Sequence, residues 1–126
     1  YYSIPAGAAR KADKPYLVNE LQTHTQSVLT PGSEVTGQEL YDWILMCMFT
    51  GAQGMQLWRW RPFLHGYQST GRGLTRMDGT PNEKAEKVKE LVSLIRAQED
   101  LFGDFSIAKP MVKIAPIPPG CILMRF

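Results

Sequence analysis

Cysteine is scarce in this chain. Only Cys47 and Cys121 occur among its 126 residues, too few for a disulfide framework or a cysteine-based metal site. Cys47 falls inside a helical pattern and reads as a small apolar core residue. No apolar run approaches the ~20 residues that a membrane span requires. A formal net charge of +2 is too small to argue for nucleic acid or an acidic membrane surface. The N-terminus, Tyr1-Tyr2-Ser3-Ile4-Pro5, has neither a starting methionine nor a signal-peptide pattern, which reads as a fragment or a processed product. Gly71-Arg72-Gly73 is neither a phosphate-binding loop nor a dinucleotide fingerprint, since no lysine follows at the required place; a flexible substrate loop is expected there. Nothing in the sequence calls for a cofactor or a metal, and the compartment stays open.

What remains is the composition of a soluble globular protein, 44% hydrophobic and 21% charged, and a length sufficient for one ordinary core. The first fourteen residues are small, basic and turn-rich, and are expected to form a loop or a frayed end. Pro15-Tyr16-Leu17-Val18-Asn19-Glu20 reads as a short buried strand with proline at its entry, where a missing N–H is tolerated. Residues 21–33 are polar, contain Thr30-Pro31-Gly32, and predict a long loop of the kind that often carries function.

Thr36-Gly37-Gln38-Glu39 is a capping box. It opens a helix with Leu40, Trp43, Ile44 and Cys47 on one face; Met46 and Met48 widen the apolar surface and predict deep burial. The helix is expected to end near Thr50-Gly51. Residues 55–60, Met-Gln-Leu-Trp-Arg-Trp, read as a second strand, followed by a glycine-rich loop to residue 78. Thr80-Pro81-Asn82-Glu83 predicts a second capping box with proline at the first helical position. The next helix places Val88, Leu91, Val92 and Ile95 on one face, and the charged run 83–89 reads as its solvated side.

The order strand, helix, strand, helix is that of two βα units in a parallel α/β sheet. Function in such units sits on the loops after the strands. Asn19-Glu20 closes the first strand and Trp58-Arg59-Trp60-Arg61 the second, and both loops that follow are long while the turn at 51–54 is short. A carboxylate at a strand end beside aromatic and arginine side chains suits glycoside hydrolysis, in which one carboxyl group acts as acid/base and another as nucleophile. Indole faces stack on the C–H faces of a pyranose, and a nearby arginine keeps a nucleophile ionised. The plain alternatives are a solvated strand-end Glu20 and a tryptophan pair that belongs to the core.

The run at 14–22, Lys-Pro-Tyr-Leu-Val-Asn-Glu-Leu-Gln, with Trp43, Gly51-Ala52-Gln53-Gly54, Trp58-Arg59-Trp60-Arg61, Gly73-Leu74 and Asp78-Gly79-Thr80-Pro81, resembles glycoside hydrolase family 42. These are retaining β-galactosidases with a TIM-barrel catalytic domain. The resemblance spans roughly residues 14–98 and implies strands seven and eight of a (β/α)8 barrel. By the resemblance, Glu20 is the catalytic nucleophile and Trp58 lines the sugar subsite; Trp60 and Arg61, beside it in the sequence, are further substrate-binding candidates. The family's loop after strand eight carries a Glu and a His that hold sugar hydroxyls; here Gln68 and Gly71 take those places, and Gln68 retains hydrogen-bonding capacity. The loop after Glu20 lacks the family's Pro/Gly-rich stretch, and His24 is a candidate sugar ligand within it. The acid/base, expected at the end of strand four, has no counterpart in this chain.

Residues 1–103 are thus expected to be the C-terminal part of a TIM-barrel catalytic domain. Residues 104–126, with four prolines and short apolar runs, would be a linker and the first strands of a β-containing second domain. The expected partners are a carbohydrate substrate and the remainder of the barrel, from upstream sequence or another chain; a homo-oligomer is allowed for, and nucleic acid and membrane are not expected. Two other classes stay open: a carbohydrate-binding or scaffolding remnant that has lost catalysis, and an unrelated small α/β domain with Trp58 and Trp60 in its core.

Overall fold

A computed structural model describes residues 3–24, 34–66 and 73–103. Its elements run α1 (Ser3–Lys11), β1 (Leu17–Gln22), α2 (Gly37–Phe49), β2 (Gly54–Trp58), α3 (Glu83–Ala97) and α4 (Glu99–Gly103). The two strands pair in parallel, and the apolar side chains of α2 and α3 pack with them in one core. The expected second domain at 104–126 lies outside the described residues.

The N-terminal stretch is a helix, not the expected loop. Alanines at 6, 8 and 9 favour helix, Pro5 sits in the first turn where its missing N–H is harmless, and Arg10 and Lys11 occupy the last turn, where the helix dipole favours cations.

Strand β1 starts two residues later than expected and ends two residues later. The Tyr16 carbonyl accepts from Gln53 N–H at 2.9 Å ahead of the ladder. The pairing then aligns Val18 with Met55 and Leu21 with Leu57, so Asn19 and Glu20 together stand opposite Gln56. This is a β-bulge on β1. Its effect is chemical as well as geometric. Strict alternation from Val18 would aim Glu20 into the core and Leu21 outward. With one extra residue, Val18 and Leu21 are both buried, and Asn19 and Glu20 are both exposed.

Helix α2 begins at the predicted cap. Thr36 accepts from Glu39 N–H at 3.2 Å, and the Glu39 carboxylate accepts from Thr36 N–H at 2.8 Å; these bonds hold Glu39 below its ordinary carboxyl pKa, the backbone bond contributing most. Leu40, Ile44 and Cys47 are buried. The deep burial expected of the whole helix does not occur: Met46 and Phe49 are each about half exposed, at 51% and 53%, because the sheet beside α2 has two strands only among the described residues.

Strand β2 is shorter than the expected 55–60. The carbonyls of Arg59 and Trp60 accept from Leu74 and Thr75 N–H, each at 3.0 Å, so the chain leaves the ladder after Trp58. The predicted Thr80 cap is also displaced. Thr80 N–H and hydroxyl both donate to Asp78 Oδ1, at 2.8 and 2.7 Å, and Pro81 bridges to Thr75. The cap of α3 is Asn82, whose Oδ1 accepts from Lys84 N–H at 3.0 Å and Ala85 N–H at 3.3 Å. Asn82→Ala is expected to lower stability by about 1 kcal/mol, read as a lower denaturation midpoint with an unchanged slope; an unchanged midpoint would refute the assignment.

The run 83–89 is more than a solvated face. Glu83 accepts from Gly37 N–H through both oxygens, at 3.0 and 2.9 Å, placing a carboxylate on the N-terminus of α2 where the helix dipole favours it. Lys84 is buried and pairs with Glu34 at 3.3 Å. Val92, expected in the core, is instead substantially exposed, while Leu91 is buried.

Candidate functional site

Parallel pairing sets the C-terminal ends of β1 and β2 side by side, and Gln22 aligns with Trp58. Leu21 and Leu57 face the helices as part of the core. The next residue on each strand, Gln22 and Trp58, therefore faces the opposite side. Glu20 reaches solvent beside this end because of the bulge, in an open hollow of about 340 Å³ walled by Leu21, Gln22, Trp43 and Met46. Trp43 thus packs partly on the core and partly lines the space beside the carboxylate, a dual placement that its position on the apolar helix face does not reveal.

The end of β2 is an aromatic cluster around one arginine. The Arg59 guanidinium lies 3.9 Å from the Phe63 ring centroid and 6.0 Å from that of Trp58, and Trp58 meets Phe63 edge-on at 6.1 Å. Arg59 is buried, and desolvation lowers its pKa; cation–π contact offsets part of that cost. The Trp58 indole N–H is buried with no hydrogen-bond partner among the described residues. The peptide between Trp58 and Arg59 is cis.

The expected site residues fall into three groups. Glu20 and Trp58 share one end of the sheet. Trp60 is 64% exposed and so lies outside the core, and Arg61 is exposed and donates to the Met77 carbonyl at 3.0 Å. Neither of these two, nor Trp58, lines the hollow beside Glu20. His24 is only 2% exposed, so its imidazole is packed inside the fold. Gln68 lies outside the described residues.

Sequence reasoning missed Arg59 and Thr23. Alternation would put Arg59 and Arg61 on one side; they differ because β2 ends at Trp58, so Arg59 is buried while Arg61 is exposed. The hydroxyl of Thr23 is fully buried and bonds the backbone of residues 58 and 59, a contact between residues 35 apart that no local pattern encodes. Among the described residues, no cluster of three or more His, Cys, Asp or Glu side chains could hold a metal ion, and no helix is long and apolar enough to cross a membrane. No family model, no curated protein and no solved structure matches this chain.

Proposed function

We propose that this chain carries the nucleophile half of a retaining glycoside hydrolase site of β-galactosidase type, with the remainder of a (β/α)8 barrel supplied by upstream sequence or another chain. The observation that carries the reading is the bulge in β1: it delivers Glu20 to solvent near the C-terminal end of a parallel strand, beside Trp43 and two ladder steps from the Gln22–Trp58 pair. A retaining mechanism needs a second carboxyl group about 5–5.5 Å from the nucleophile. The first two carboxylates that follow it in the chain are engaged elsewhere, Glu34 with Lys84 and Glu39 with the cap of α2. The acid/base therefore comes from outside the described residues, and the 126-residue chain by itself does not turn over glycosides. Trp58 belongs to the wall of the sugar subsite, Trp60 offers an exposed face for stacking, and Gln68 a hydrogen-bonding amide.

The test is covalent trapping in the assembled enzyme. A 2-deoxy-2-fluoro-galactoside with a good leaving group is expected to add one fluorogalactosyl group to the peptide containing Glu20, as mapped by mass spectrometry. A label on any other carboxylate, or none, rejects the assignment. A second reading, a sugar-binding remnant without catalysis, is favoured by the exposed Trp60 platform together with the glutamine at position 68. It predicts sugar binding that survives Glu20→Gln and no trapped adduct.

A further inference from the structure

Thr23 lies three residues beyond Glu20, just past the end of β1, and is completely buried. Its N–H donates to the Trp58 carbonyl at 2.7 Å. Its hydroxyl donates to the same carbonyl at 3.0 Å, with the Arg59 carbonyl at 3.3 Å as a second acceptor. The hydroxyl oxygen in turn accepts from Arg59 N–H at 2.9 Å. A hydroxyl has one proton and two lone pairs; here the proton and one lone pair are both engaged by the backbone of residues 58 and 59. The opposite side of that segment is held equally firmly. Leu74 N–H donates to the Arg59 carbonyl at 3.0 Å, and Thr75 donates to the Trp60 carbonyl through N–H at 3.0 Å and through its hydroxyl at 3.1 Å. Three successive carbonyls are thus all occupied, and among the described residues it is Thr23 that connects them to the end of the strand that bears Glu20.

We infer that Thr23 is a positioning residue: its hydroxyl fixes the Glu20 strand end against the Trp58–Arg59 backbone, so that the nucleophile and the aromatic wall keep one spacing. The inference rests on the retaining-hydrolase reading. Thr23 touches no reacting atom and acts only through the two strand ends. A reacting group displaced by 1 Å loses on the order of 10²-fold in rate, and a buried hydroxyl between two strand ends is well placed to prevent such drift.

The test compares Thr23→Val, which keeps the shape and the backbone N–H but removes the hydroxyl's hydrogen bonds, with Thr23→Ser, which keeps the hydroxyl. In the assembled enzyme, Thr23→Val is expected to slow fluoroglycoside labelling of Glu20 and to lower kcat by roughly 10- to 100-fold. KM should stay within about twofold, since ground-state binding is not what the clamp governs. Thr23→Ser is expected to restore most of the lost rate. If Thr23→Val does not fold by circular dichroism, Thr23→Cys, of similar size and far weaker as a donor, is read in the same way. Wild-type labelling with an unchanged rate in the folded variant overturns the positioning role alone, as does a Thr23→Ser variant as slow as Thr23→Val. Absence of the adduct in the wild type instead overturns the hydrolase reading on which it rests.

Discussion

Glu20→Ala in the assembled hydrolase is expected to lower kcat by roughly 10⁴-fold or more, the scale seen when a covalent nucleophile is removed, while stability changes little. The second half of that statement follows from position. Glu20 is exposed on the bulge, and surface substitutions away from caps, cores and buried networks stay within about 0.5 kcal/mol. The first half follows from role, and the role can be separated from that of an acid/base by product stereochemistry. A nucleophile truncated to alanine leaves room for azide to attack from the vacated side, giving a glycosyl azide of inverted anomeric configuration. Truncation of an acid/base leaves the covalent intermediate intact, and azide then gives the retained anomer. A retained product from Glu20→Ala would assign Glu20 to acid/base catalysis, and undiminished turnover would remove it from the mechanism.

The parts of the fold that are legible in the sequence are those written locally. The cap at Thr36 and Glu39 consists of two side chains and two backbone groups within four residues, and α2 begins where they predict. The start of α3 illustrates how a local pattern misleads. Thr80-Pro81-Asn82-Glu83 contains two residues able to cap a helix, and the choice between them is made by partners outside these four residues. Asp78 takes the Thr80 hydroxyl, Gly37 takes the Glu83 carboxylate, and the Asn82 amide donates to the Gly73 carbonyl at 2.9 Å.

Strand β1 shows a subtler limit. Its existence follows from its apolar, β-prone residues, but its bulge depends on the pairing with β2. The signal was present in the spacing of Val18 and Leu21, three residues apart in a strand where the core face recurs every two. The candidate site shares this division. Glu20 and the tryptophans are legible as residue types at strand ends. The Thr23 clamp joins residues 35 and 36 positions apart in the chain, and neither the burial of His24 nor the stacking of Arg59 on Phe63 is written in a periodic pattern.

Gly73→Ala should destabilise the fold by about 1–3 kcal/mol, the usual cost of forcing an extra methyl group into a packed site. A Cβ built at Gly73 would lie 2.8 Å from the Trp60 carbonyl oxygen, 3.0 Å from that of Arg59 and 3.2 Å from the Trp60 carbonyl carbon. All three are backbone atoms, so no side chain can swing aside to make room. Nor is the backbone free to retreat, because the Arg59 and Trp60 carbonyls accept from Leu74 and Thr75 and Thr23 holds the same segment from the β1 side. The methyl group must therefore stretch the 59–60 to 74–75 hydrogen bonds or push Trp60 outward. Either route disturbs the segment that presents the exposed Trp60 ring. The expected observations are a lower denaturation midpoint and a shift in tryptophan emission in the native baseline. A midpoint equal to wild type would show that residues 73–75 are not seated against the end of β2, and with them would go the outer half of the support proposed for the aromatic wall.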